Sequence, residues 1–95
     1  MRDYRSYISA GEYIVFNENC ISEYSNKKTV LTNKKIIICC DTDILIFPLD
    51  KIIELGIGEN VLIVYMLDSI SVQFRYEDNV ASVVDRLGCE IAKLI

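Results

Sequence analysis

No histidine occurs anywhere in this chain. That removes the side chain most often used for acid–base catalysis near neutral pH and for holding transition metals. No stretch reaches the roughly 18 uninterrupted apolar residues that span a bilayer. The most apolar segment, Ile36 to Leu49, is broken by Asp41 and Asp43. The start, Met1-Arg2-Asp3-Tyr4-Arg5, is mixed in charge and lacks the apolar centre of a secretory signal, so the expected compartment is the cytoplasm. Proline appears once, as Pro48 at the end of an apolar run, where it stops a strand without breaking a central ladder.

Other absences narrow the chemistry further. The four cysteines, Cys20, Cys39, Cys40 and Cys89, include no Cys-x-x-Cys pair. Adjacent Cys39 and Cys40 would point to opposite faces of a strand and share one ion poorly. The expectation is reduced, mostly buried thiols and no metal. Gly56-x-Gly58 is not followed by a helix that would cradle a phosphate. Asp41 and Asp43 lie in a turn, where carboxylates are ordinarily solvated. A cysteine nucleophile would lack a neighbouring base. No catalytic residue, cofactor or metal is therefore expected, and the chain does not read as an enzyme. With 10 basic against 14 acidic residues the net charge is −4. That argues against general nucleic-acid binding and weakens attraction to an anionic membrane.

What is present is a small core in one unit. Ninety-five residues, 52% of them apolar, make a single domain over 1–95, with 1–10 as an N-terminal extension. Short apolar runs closed by polar turn residues read as about seven antiparallel strands. Tyr13 to Phe16 opens the series, and Cys20 to Tyr24 continues it after a bend at Asn17-Glu18-Asn19. Thr29 to Leu31 and Lys35 to Cys40 read as a hairpin around Thr32-Asn33-Lys34, Asn tolerating the left-handed conformation such turns need. Ile44 to Phe47 and Ile52 to Ile57 follow.

Register can be argued for the last strands. Ile70 to Tyr76 alternates, placing Ile70, Val72, Phe74 and Tyr76 inward. A two-residue turn at Asp68-Ser69 then puts Val61, Ile63, Tyr65 and Leu67 inside. A three-residue loop at Gly58-Glu59-Asn60 puts Ile53, Leu55 and Ile57 inside as well, with Gly58 or Asn60 in the left-handed position. Leu62, Val64 and Met66 are left on the outer face. They form either a contact surface, a stripe covered by Tyr4 to Ile8, or the sign of a shifted register. From Asn79 the period changes: Val80, Val83, Val84, Leu87, Ile91 and Leu94 make one helical stripe. Asp78 is the expected N-cap, and Asp85, Arg86, Glu90 and Lys93 take the opposite side. Gly88 inside that helix costs on the order of 1 kcal/mol relative to Ala, an expense that suits a close approach by a strand or side chain. A bent sheet covered by this terminal helix is the expected architecture.

Three segments carry a resemblance: Gly11-Glu12-Tyr13-Ile14, Val30-Leu31-Thr32-Asn33-Lys34-Lys35-Ile36-Ile37-Ile38, and Phe47-Pro48-Leu49-Asp50-Lys51-Ile52, followed by the hairpin and helix from Val61 to Ile95. Together they resemble the bacterial pleckstrin-homology-like domains, related in fold to the GRAM domain. The resemblance implies a split barrel of seven strands capped by the helix. It implies a scaffold for peptide, protein or lipid recognition, with ring-forming oligomers among its bacterial members, and no catalytic apparatus. Phosphoinositide-binding members carry a Lys-spaced-Lys/Arg-x-Arg pattern in the first hairpin. Here Lys27-Lys28 and Lys34-Lys35 are present and the completing Arg is not.

Two functional readings stand. In the first, the chain is a protein-interaction module, an inhibitor or adaptor, that binds a protein partner or itself through a sheet edge or face. Leu62, Val64 and Met66, with Tyr4 and Tyr7, would supply the contact area. In the second, Lys27, Lys28, Lys34 and Lys35 converge at one open end and bind an anion or lipid headgroup. The plain alternative for those lysines is that they keep strand ends soluble.

Overall fold

Seven strands, all antiparallel, build two sheets in the computed structural model, which describes residues 3–76 and 81–95. The first sheet runs β1-β2-β3-β4, comprising Ile14–Asn19, Lys28–Thr32, Lys35–Cys39 and Ile44–Pro48. The second runs β5-β6-β7, comprising Ile52–Gly58, Val61–Met66 and Ser71–Arg75. Helix α1, Ala81–Leu94, closes the chain. It places Val84, Leu87 and Ile91 in the core with no exposure, as the three-and-four spacing expects, and Val83 and Leu94 at its margin. The expected cap Asp78 and the stripe member Val80 lie outside the described residues.

Strand β3 explains its own composition. Ile36 and Ile38 enter the main core, while Ile37 and Cys39 join Val30 in a second cluster on the outer face. A strand covered on both sides reads as an unbroken apolar run rather than an alternation. The cover is the N-terminal segment: a single 3-10 turn, Tyr4–Tyr7, capped by the Asp3 carboxylate, lays Tyr4, Tyr7 and Ile8 over that cluster. This segment covers the first sheet, not β6.

The hairpin turn between β2 and β3 is tied to the start of β1. The Thr32 hydroxyl donates to the Glu12 carboxylate and accepts from the Lys34 and Lys35 N–H groups. Asn33 and Tyr13 exchange two bonds, Tyr13 N–H to Asn33 Oδ1 at 2.9 Å and Asn33 N–H to Tyr13 C=O at 3.1 Å. Asn33 therefore serves through its side chain. It does not adopt the left-handed conformation expected of it; among non-glycine described residues that region holds Asn60, Asp68 and Ser69.

Beyond β1 the chain bends. Ser22 bridges to Phe74, Arg75 N–H donates to the Ile21 carbonyl at 2.9 Å, and Glu23 N–H donates to that of Gln73 at 3.3 Å. The expected continuation of the first strand is thus a graft onto β7 that joins the two sheets.

The second sheet reverses one expectation. Gly58 pairs with Val61 across a two-residue turn, Glu59-Asn60, with Asn60 left-handed. The loop after β6 has three residues, Leu67-Asp68-Ser69, with Met66 N–H donating to Ile70 C=O at 2.8 Å. Both loop lengths differ by one from the sequence expectation, in opposite senses. The errors cancel for β5 and β7 and invert β6, because a one-residue slip turns every side chain over. Leu62, Val64 and Met66 are core, 3%, 0% and 4% exposed. Tyr65 and Leu67 stand outside, with Val61 and Ile63 half-covered. Val72 and Phe74 are buried and Tyr76 packs against the core as expected, but Ile70 is exposed. In β5, Leu55 packs inward. A bulge between Ile52 and Glu54 throws Ile53 outward, and Ile57 lies on the inner side yet is uncovered.

Candidate functional site

The lysines do not converge. Lys28 begins β2 and Lys35 begins the antiparallel β3, so Lys27-Lys28 and Lys34-Lys35 sit at opposite ends of one hairpin. Three of them are also engaged. Lys27 pairs with Asp41, Lys28 lies 5.7 Å from the centre of the Tyr4 ring, and Lys35 meets Glu12 at 3.2 Å. Glu12 is 1% exposed in its side chain. Burial pushes its carboxyl up, but the Ser9 N–H, the Thr32 hydroxyl and Lys35 together outweigh that and hold it below the ordinary range. This is a structural latch.

The expected contact residues are likewise mostly occupied. Leu62, Val64 and Met66 are core, and Tyr4 and Tyr7 are half-buried over Val30 and Ile37, the Tyr4 hydroxyl accepting from Asn17 Nδ2 at 2.9 Å. Two of the four thiols, Cys20 and Cys39, are buried. Burial pushes Cys20 up to about 11, with the Thr29 hydroxyl opposing, and pushes Cys39 up in the same way. Cys39 and Cys40 do point apart, one into the outer cluster and the other against the main core. Among the described residues no three Cys, Asp or Glu side chains gather as metal ligands.

The open part of the molecule lies at β5. It occupies the end of its sheet and pairs only with β6 among the described residues. Its outer backbone edge therefore has no ladder partner among the described residues. The helix leaves this margin uncovered because it leans on β1 and β7. Arg86 anchors it there, reaching Glu18 at 3.0 Å and lying 5.4 Å from the centre of the Phe16 ring. Gly88 faces Leu62, whose Cδ2 would stand 3.4 Å from an added Cβ, so the expected close approach is a side chain of β6.

Between the helix and the strands remains a groove of about 510 Å³, lined by Leu55, Ile57, Leu62, Tyr76, Asp85 and Cys89 among others. Ile57 is 81% exposed at its rim. Burial raises the Tyr76 hydroxyl, and its hydrogen bond to Asp85 raises it further. On the other side of the same strand, Ile53 (62% exposed) and Glu54 line a hollow with Tyr65 and Ile70. The Tyr65 ring lies across Gly56, where an added Cβ would come within 2.8 Å of it, so the glycine gives the ring its seat.

The strand edge β4 is less available. It ends in Pro48, and the Tyr24 ring packs against Phe47 at 5.8 Å between centres.

The β5 margin escaped the sequence reading because Ile53 and Ile57 look like core at alternate positions. Only the bulge and the lean of the helix expose them, and neither has a local sequence signal. Compared with family models, curated proteins and solved structures, the chain matches none.

Proposed function

We propose that this chain is a non-enzymatic protein-interaction module that takes up an extended segment of a protein partner along β5. The observation that carries this is the unpaired β5 edge beside an apolar groove, with Ile57 standing in solvent at the junction. An added strand satisfies its backbone groups on the edge, while alternate side chains drop into the groove and onto the outer face. The affinity comes from the ladder, and the groove selects what fits it.

A pleckstrin-homology-like split barrel is the architecture we propose behind this. It is supported by the four-plus-three division of the strands, the Ser22–Phe74 bridge between sheets, and the terminal helix over the core. The segments that carry the resemblance do structural work: Glu12 and Tyr13 bond Thr32, Asn33 and Lys35. A binding role rather than catalysis is favoured by the raised thiols of Cys20 and Cys39 and by the lack of any histidine. Its action as an inhibitor or adaptor would follow from occupying that partner segment.

The test is selection of randomised ten-residue peptides displayed on phage, followed by mapping of the selected peptides by amide chemical shifts. Shifts concentrated on β5 and the facing side of α1, lost in Ile57→Lys, are expected. Binders that map to the first sheet, or a protein that pairs through β5 with its own copy and takes no peptide, would overturn the proposal.

A further inference from the structure

The charges around β5 define what kind of segment it selects. Five of the ten cations are spent in ion pairs away from β5: Arg5 on Asp3, Lys27 on Asp41, Lys35 on Glu12, Arg86 on Glu18 and Lys93 on Glu90. The carboxylates along the β5 margin are not. Glu54 on the strand, Asp50 before it and Glu59 after it make no ion pair among the described residues. Each side of the strand pairs an aliphatic surface with a carboxylate: Ile57 with Asp85 in the groove, Ile53 with Glu54 in the outer hollow. Lys51 is the single cation between Leu49 and Asn60.

Resting on the β5 edge proposed above, we infer that the bound segment is a cationic, aliphatic strand carrying Lys or Arg beside Val or Ile on both faces. An acidic segment meets uncompensated carboxylates on both sides of the edge, and such like-charge placement is a strong filter against wrong partners. The attraction acts at exposed positions, so it is modest per pair, fades with salt and speeds encounter more than it deepens affinity.

The probes are three ten-residue peptides of alternating Thr and Val, carrying two lysines, two glutamates or neither. A fourth is the lysine peptide N-methylated at consecutive residues through its centre, so that neither of its edges can complete a ladder. At low salt the lysine peptide is expected to bind about tenfold more tightly than the glutamate peptide, with the uncharged one between. The advantage should shrink severalfold at high salt, and Glu54→Lys with Asp85→Lys should reverse the order. Both side chains are solvent-facing, and an unchanged helical and strand signal would show the double variant folded. Equal binding of all three peptides would overturn the charge preference and leave the edge standing. Undiminished binding of the N-methylated peptide would reduce the effect to attraction without strand addition and overturn the inference. Binding of none would overturn both.

Discussion

On the four-stranded sheet the outer face is packed beneath Tyr4, Tyr7 and Ile8, whereas on the three-stranded sheet Ile53, Tyr65, Leu67 and Ile70 stand in solvent. The two sheets share one core and one helix, yet only the first is finished on both sides. The same contrast holds at their edges. The β7 edge is bridged by residues 21–23, and β4 ends in a proline under an aromatic contact. By comparison β5 offers seven residues flanked by a groove. Exposed aliphatic surface and a strand edge with no ladder partner among the described residues coincide at β5, and on the proposed reading this is where a partner adds stabilisation.

The contrast can be broken most severely inside β6. Val64→Asp puts an unpaired carboxylate in the apolar core and should cost more than about 3 kcal/mol, abolishing the cooperative urea transition. Its neighbour Tyr65→Ser, on the bare face, should stay folded. A reversed outcome would return β6 to the inverted register.

The latch comes next. Glu12→Gln should lower stability at neutral pH by about 1–3 kcal/mol, measured by chemical denaturation. Because the folded-state Glu12 carboxyl is held low, its stabilisation is complete above the ordinary glutamate range and disappears as pH falls through the folded value. The variant should therefore show a shallower loss of stability in acid than the parent.

Thinning the cover of the first sheet is smaller. Tyr7→Ala should cost about 1–2 kcal/mol, as expected for a half-buried aromatic. It should also speed modification of Cys39, which the segment shields, while leaving the exposed Cys89 unchanged. Smallest of all, Tyr65→Ser should cost no more than about 1 kcal/mol, from the contact of its ring with Gly56. A larger loss would mean that the outer face of the second sheet is itself packed.

Much of the fold was legible in residues whose period has one physical meaning. Val84, Leu87 and Ile91 could only be one helical face, and the alternation of Val72 and Phe74 only one strand face. Pro48 ended β4 as its missing N–H demands. The face of β6 was not legible, because Val61-Leu62-Ile63-Val64-Tyr65-Met66 is apolar at every position and its side is set by loop lengths alone. Those lengths turn on Asn60, Asp68 and Ser69 adopting left-handed backbone, and nothing in the local sequence distinguishes a two- from a three-residue loop there. The lysine pairs misled for a related reason: a hairpin places its turn and its open ends a strand length apart, and only one pair lies at the turn.

Amide hydrogen exchange on the dilute free protein tests the openness of β5 most directly. The outward N–H groups of Ile52–Gly58 should exchange orders of magnitude faster than those of β2 and β3, and slow when a lysine-bearing strand peptide is added. Protection of the entire β5 ladder in the dilute protein without any peptide would mean that the edge is already covered, and would contradict a role in binding an added strand.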